Sequence, residues 1–343
     1  MRLERAVRTL RLARPLTTSY GVVRERELVS VTLTGADGVD GHGEAAPLES
    51  YDGVTLERVR VALDRYAAVL GSAGELNGAQ VIDACRAEDD VPAALAAIDL
   101  ALWDRAGRRA GKPVASLLTD EPAPSVPVNA TISALDRAGA ASEAARAARD
   151  GFTCVKLKVG VGDDAGRVAA VRAAAGPEVA LRLDANGAWS VEEAVRAIDV
   201  LSPAGLELVE EPVHGLREVR QVRERVAARV AIDETAGEPG ALAAGVADAV
   251  CLKISRCGGI GGLLAAAALV RASGAEVYLS STLDGPLGVA AAVHAAAALA
   301  SRGPMPPCGL ATLGMFADLD DPLPPRAGVI ELPASPGLGV ERI

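Results

Sequence analysis

From about residue 126 the chain repeats one pattern, and that pattern limits its fold more than any other feature. Short apolar runs alternate with amphipathic stretches. The runs are VPVNATI, TCVKLKV, VALRLDA, LELVEEP, RVAIDE, AVCLKIS, EVYLSST and PCGLATL. Strand-length runs that alternate with helical patterns imply parallel pairing. Helix ends stand between them. Ser190 and Glu193 fit a capping box, S-x-x-E, and Gly176 lies where the preceding helix should stop. Eight such units predict an α/β fold, a (β/α)8-type barrel over residues 126–318.

The first 125 residues read differently. LVSVTLTGADGVDGHGEAAP has two strand patterns joined by the turn Ala36-Asp37-Gly38. A helix is predicted from Pro92, carrying Leu95, Ile98 and Leu102 at helical spacing and stopping near Gly107. Strands followed by helices make a small α+β domain. Residues 319–343 form a C-terminal segment expected to return to it.

Barrel enzymes work at the C-terminal ends of their strands. In this chain the second run ends with Lys156 and Lys158, the third with Asp184 followed by Asn186, and the fourth with Glu210 and Glu211. The fifth ends with Asp233 and Glu234, and the sixth with Lys253. The intervals are 184 − 158 = 26, 210 − 184 = 26, 233 − 210 = 23 and 253 − 233 = 20. Each is about one strand plus one helix, so successive strands lift these groups to a similar height. Singly, each has an ordinary reading: a wet strand face, a turn, a proline-closed strand end, a helix cap. Jointly, at barrel spacing, they predict one ionisable cluster in the barrel mouth.

The residue types suggest the chemistry. Three carboxylates on adjacent strands offer the hard oxygen ligands that suit Mg²⁺. A lysine on either side could take or give a proton. A metal beside a base is what removal of a proton next to a carboxylate requires, because the product carries a second negative charge. Lys156 beside Lys158 is expected to help lower the base's pKa, together with the metal.

Charge and composition exclude other classes. The formal net charge of -10 argues against nucleic acid, which needs a basic face. No signal-peptide core and no membrane span is legible. GGLLAAAALV and GVAAAVHAAAALA read as alanine-rich helices buried on one side. Five cysteines, an odd number with no C-x-x-C spacing, fit a reducing cytoplasm rather than a disulfide framework or zinc site.

The motifs KLK at 156–158, DANGAW at 184–189, VEEP at 209–212, DET at 233–235 and KISRCGG at 253–259 resemble the enolase superfamily, in its muconate lactonizing enzyme subgroup. AAIDLALWDRAGRRAGKPVASLL at 96–118 and PGLGVE at 336–341 extend the resemblance over nearly the whole chain. It implies that Asp184, Glu210 and Asp233 ligate Mg²⁺, for which Mn²⁺ can substitute. It implies that Lys158 and Lys253 are acid/bases on opposite faces of a small carboxylate substrate, with Lys156 as the electrostatic neighbour of Lys158. Asn186 and Glu234 match positions behind the ligands, while Glu211 is expected to be only solvated or hydrogen-bonded. His42, His214 and His294 end no strand, which sets a histidine-based subgroup aside.

In the family the first domain caps the barrel mouth. Its candidate loops, 16–26 and 47–54, carry Tyr20 and Tyr51, expected in the substrate pocket. Asp284 stands where glutamate is more usual and is expected in the same pocket. PCGLATL lacks the D-x-D pair of dipeptide epimerases, and with VPVNAT it looks like stretches of some o-succinylbenzoate synthases. Epimerisation, cycloisomerisation and elimination all stay open, with a two-base isomerase favoured. A homo-oligomer is expected on analogy. Outside this class stand a Schiff-base aldolase using Lys253 and a non-catalytic binding protein on the same scaffold.

Overall fold

The computed structural model describes residues 1–18, 21–74 and 76–341. Tyr20 lies outside the described residues. The first domain is a three-stranded antiparallel sheet, β1 (Arg2–Thr18), β2 (Gly21–Thr34) and β3 (Asp40–Ala45), followed by helices α1 (Glu49–Asp52), α2 (Leu56–Ser72), α3 (Gly78–Glu88) and α4 (Pro92–Ala110). The inner face of β2 contributes Val29, Val31 and Leu33 to a core shared with Leu63, Tyr66 and Ile98 of the helices.

Helix α4 begins at Pro92 but runs past the predicted stop. It ends at Ala110, with Gly111 left-handed at φ 64°. Gly107 is a packing residue instead. A Cβ there would lie 2.7 Å from both Gly337 Cα and the Lys112 carbonyl oxygen. The glycine lets the C-terminal segment press against α4, where Leu338 N donates to Asp104 Oδ1 at 2.7 Å.

After α5 (Ala115–Leu118), β4 (Ser125–Pro127) pairs with β12 (Val329–Glu331), and β5 (Ala130–Ile132) opens the barrel. The remaining strands are β6 (Cys154–Lys158), β7 (Ala180–Asp184), β8 (Leu206–Glu210), β9 (Val230–Ile232), β10 (Ala249–Leu252) and β11 (Glu276–Leu279). They form one parallel sheet in sequence order, β5 to β11. Helices α6 (Arg137–Arg149), α7 (Asp164–Ala175), α8 (Val191–Leu201), α9 (Leu216–Arg223), α10 (Ile260–Ala272) and α11 (Pro286–Ala300) cover it. The predicted capping box at Ser190 and Glu193 forms, and Gly176 ends α7. Between β9 and β10 only two short 3₁₀ turns intervene.

Two expectations need correction. The eighth run builds no strand. It closes the barrel through isolated parallel bridges, Val128 to Cys308 on one side and Ser280 to Gly309 on the other. Pro306 and Pro307 supply no N–H, so an extended ladder cannot start there. Helix α11 is buried all round, from Pro286 to Leu299. It is wedged between the barrel and the first domain, and its small alanines allow the close approach. Among the described residues no helix is long and apolar enough to cross a membrane.

Candidate active site

Parallel register sets the site. Lys158, Asp184 and Glu210 are direct neighbours across β6, β7 and β8, and Lys156 lies beside Arg182 one step below. Their alternates Val155 and Leu157 are fully buried on the outer face. The lysine face of β6 therefore points into the barrel.

The charged groups meet there. Lys156 Nζ donates to Glu210 Oε1 at 2.7 Å and lies 2.9 Å from Asp184 Oδ2. Lys158 Nζ donates to Asp184 Oδ2 at 2.7 Å and to Asn186 Oδ1 at 2.6 Å. On the far side Lys253 Nζ donates to both Asp233 oxygens and, at 2.8 Å, to Tyr51 Oη. Asn186 Nδ2 donates to Glu234 Oε1 at 2.9 Å. The structure thus brings together Lys156, Lys158, Lys253, Asp184, Glu210, Asp233, Asn186, Glu234 and Tyr51.

Burial and charge act against each other in this cluster. Burial alone would lower the pKa of Lys156, but Asp184 and Glu210 outweigh it and hold the ammonium form. Lys253 is raised too, with Asp233 overcoming burial. Burial would raise Asp184, yet Lys156 and Lys158 keep it well below the usual range. Glu234 is pushed up to about 7 by burial and by the charges of Asp233 and Asp184.

The donor set fits a hard divalent cation. Glu210, Asp233 and Cys251 offer ligand atoms within 4.8 Å of one another, and Asp184 neighbours Glu210 on the next strand. Three buried carboxylates here are paired with lysines. A cation among them would release those lysines for proton transfer.

Above the charges opens a cavity of about 100 Å³. The expected loop 16–26 is largely strand, and Leu16 of β1 and its cross-strand partner Val23 of β2 line the cavity, with Leu48 and Tyr51 of the 47–54 segment. Ser281 and Thr312 stand on the opposite wall. Asp284, expected in this pocket, is not among its walls. Leu283 adopts a left-handed φ of 59°, and the chain turns the Asp284 side chain inward. There its Oδ1 accepts from Thr282 Oγ1 at 2.9 Å, and it is 1% exposed.

Two supports stand behind the ligands: Glu211, expected as solvated or hydrogen-bonded and found hydrogen-bonded, and Arg182, which sequence reasoning missed. Glu211 is fully buried, with φ 41°. It accepts from Asp233 N at 2.7 Å, from Thr235 N at 3.0 Å and from the Thr235 hydroxyl. It also pairs with His214 Nδ1 at 3.0 Å, which raises the imidazole pKa. It latches the turn that presents Asp233. The second support is Arg182, fully buried inside the barrel and bonded to Glu207 and the Pro307 carbonyl. A register shift after Leu181 leaves Glu207 as the extra residue that can face Arg182. Arg182 precedes Asp184 by two on one strand face, a signal that could have placed it inside.

Residues 139–342 match the enolase C-terminal domain-like family, and residues 3–119 match the mandelate racemase / muconate lactonizing enzyme N-terminal domain. An o-succinylbenzoate synthase from Thermobifida fusca is 42% identical over 226 residues, covering 61% of this chain and 68% of that protein. An L-Ala-D/L-Glu epimerase from Bacillus subtilis is 30% identical over 366 residues, covering 99% and 96%. The crystal structure of a dipeptide epimerase from Enterococcus faecalis, complexed with Mg and the dipeptide L-Leu-L-Tyr, has a TM-score of 0.89 at 27% identity and covers 99% of each chain. The chain belongs to the enolase superfamily, in its muconate lactonizing enzyme-like subgroup, and its fold is that superfamily's barrel with an N-terminal cap. It is an enzyme of a group made up chiefly of isomerases, with a synthase among its relatives.

Proposed function

We propose that the protein removes the proton next to the carboxylate of a small acid, using two lysines, and returns it to give an isomer. The observation that carries this is placement. Lys158 on β6 and Lys253 just past β10 flank the three carboxylates at the ends of β7, β8 and β9. Asp184, Glu210 and Asp233 would hold Mg²⁺, which when bound supplies positive charge to the substrate carboxylate as negative charge grows there. Mn²⁺, with similar ligand preferences, should substitute.

Neutral Lys158 takes the proton from one face of the α-carbon, and the ammonium of Lys253 delivers one to the other face. Lys156 stays charged between Asp184 and Glu210 and offsets the negative charge of the site. Asn186 holds Lys158 in place through its Oδ1. Leu16, Leu48 and Tyr51 reach over the mouth and exclude water. A Schiff-base role for Lys253 would leave the three carboxylates at the ends of β7, β8 and β9 without a part. The reducing cytoplasm suits the five unpaired thiols.

A second reading has its own support. The 42% identity to an o-succinylbenzoate synthase favours loss of water after the same proton abstraction. The test is a screen of carboxylic acids in D₂O by proton NMR, with Mg²⁺ and then with EDTA. Metal-dependent loss of an α-proton signal supports the shared step, and the product formed separates isomerisation from elimination. Exchange that survives EDTA would refute the metal's part.

A further inference from the structure

The geometry points to Tyr278 as the positioning residue of Glu210, with Arg182 as its backstop. The inference rests on reading Glu210 as a cation ligand and goes beyond it.

The three candidate ligands are held differently. Asp184 Oδ1 accepts from its own chain, at Asn186 N, 3.0 Å away. Asp233 is presented by the Glu211 latch and accepts from Tyr51. Glu210 has a longer side chain and, among the described residues, no backbone N–H donor. Its Oε1 is taken by Lys156, and its Oε2 accepts from Tyr278 Oη at 2.6 Å. The ammonium of Lys156 is repelled by a cation bound at Glu210, so its hold on the carboxylate weakens once the cation is there. The phenol is neutral, and it uses one lone pair of Oε2 and leaves others for a ligand bond.

Tyr278 is built for this task. It stands on β11, three strands from Glu210 in the sheet order, so its ring spans the barrel interior. It is 1% exposed. The Arg182 guanidinium lies over the ring, with Cζ 4.9 Å from the centroid. Arg182 is itself fixed, donating through Nε and Nη2 to Glu207 and through Nη1 to the Pro307 carbonyl at 2.6 Å. A cation over the ring face draws electron density from the phenol and strengthens the O–H as a donor. The ring cannot tilt without breaking the stack. Glu210 is thereby confined to one rotamer before any ion arrives, which is how outer partners raise a site's affinity.

Tyr278→Phe removes the hydroxyl and keeps the ring, so Arg182 stays stacked and the fold stays intact. Calorimetric titration of the substrate-free protein with MgCl₂ is the readout. The expected result is Mg²⁺ affinity weaker by about 10-fold or more, the usual loss for an outer partner, with an unchanged circular dichroism spectrum in EDTA. In a Glu210→Asp background, whose shorter carboxylate the phenol does not reach, Tyr278→Phe should change nothing further. Unchanged Mg²⁺ affinity in Tyr278→Phe overturns this inference alone. A wild-type protein that binds no Mg²⁺ overturns the ligand reading, and this inference with it.

Discussion

Replacing Glu211 by alanine tests how the site is held. The side chain is fully buried and accepts from Asp233 N, Thr235 N and the Thr235 hydroxyl. Alanine leaves two backbone N–H groups and a hydroxyl without their partner. Each unsatisfied buried group costs about 1–3 kcal/mol, and the two N–H groups alone make roughly 2–6 kcal/mol. Part is recovered if water enters the space, so a net loss of about 2–4 kcal/mol is expected. The residue's left-handed φ of 41° gives alanine no relief, since a Cβ remains. Urea unfolding followed by circular dichroism, in EDTA, reads the stability. Mg²⁺ titration of the same variant should show weaker binding, because Asp233 loses the turn that presents it. A stability loss under about 0.5 kcal/mol, the size of an ordinary surface change, together with unaltered Mg²⁺ affinity would refute the latch.

The remaining predictions concern the two domains and the lysines. His294 is fully buried, with Nδ1 accepting from Ala115 N at 3.1 Å and Nε2 against the Leu338 carbonyl at 3.2 Å, and burial depresses its pKa from 6.5 to about 4. The unfolded chain therefore takes up this proton first as pH falls. The His294 contribution is full above 6.5 and is lost between 6.5 and about 4, up to about 3 kcal/mol. His294→Gln, which keeps both hydrogen bonds and cannot charge, should flatten that acid limb relative to wild type in urea titrations from pH 7 to 4. Gly107→Ala should cost about 1–3 kcal/mol by overpacking against Gly337 and the Lys112 carbonyl, read as a lower urea midpoint. Lys158→Ala and Lys253→Ala should each reduce turnover by at least about 100-fold while leaving the urea midpoint at or above the wild-type value in Mg²⁺.

Much of this was legible because a parallel barrel converts sequence spacing into height. Lys158, Asp184 and Glu210 recur at barrel intervals and do fall in register. Alternation along CVKLK likewise assigns its inward face. What stayed hidden depends on contacts between distant residues or on small backbone irregularities. Tyr278 and Glu210 are 68 residues apart and meet only across the closed barrel. Glu207 faces Arg182 because of one shift of register, which no periodicity announces. Asp284 reads as a pocket residue until the left-handed turn at Leu283 sends it inward. The eighth run has strand composition, yet its paired prolines reduce it to bridges. Tyr51 was legible as a loop aromatic, but its hydrogen bond to Asp233 follows from the docking of the cap, not from its neighbours in sequence.

The central claim is that Lys158 and Lys253 serve opposite faces of one α-carbon. The most direct test is stereospecific exchange in D₂O with Mg²⁺, using both enantiomers of a substrate the wild type turns over. Lys158→Ala should still exchange the α-proton of one enantiomer but not the other, and Lys253→Ala should show the reverse preference. If either variant exchanges both enantiomers at the wild-type rate, the two-lysine account is wrong.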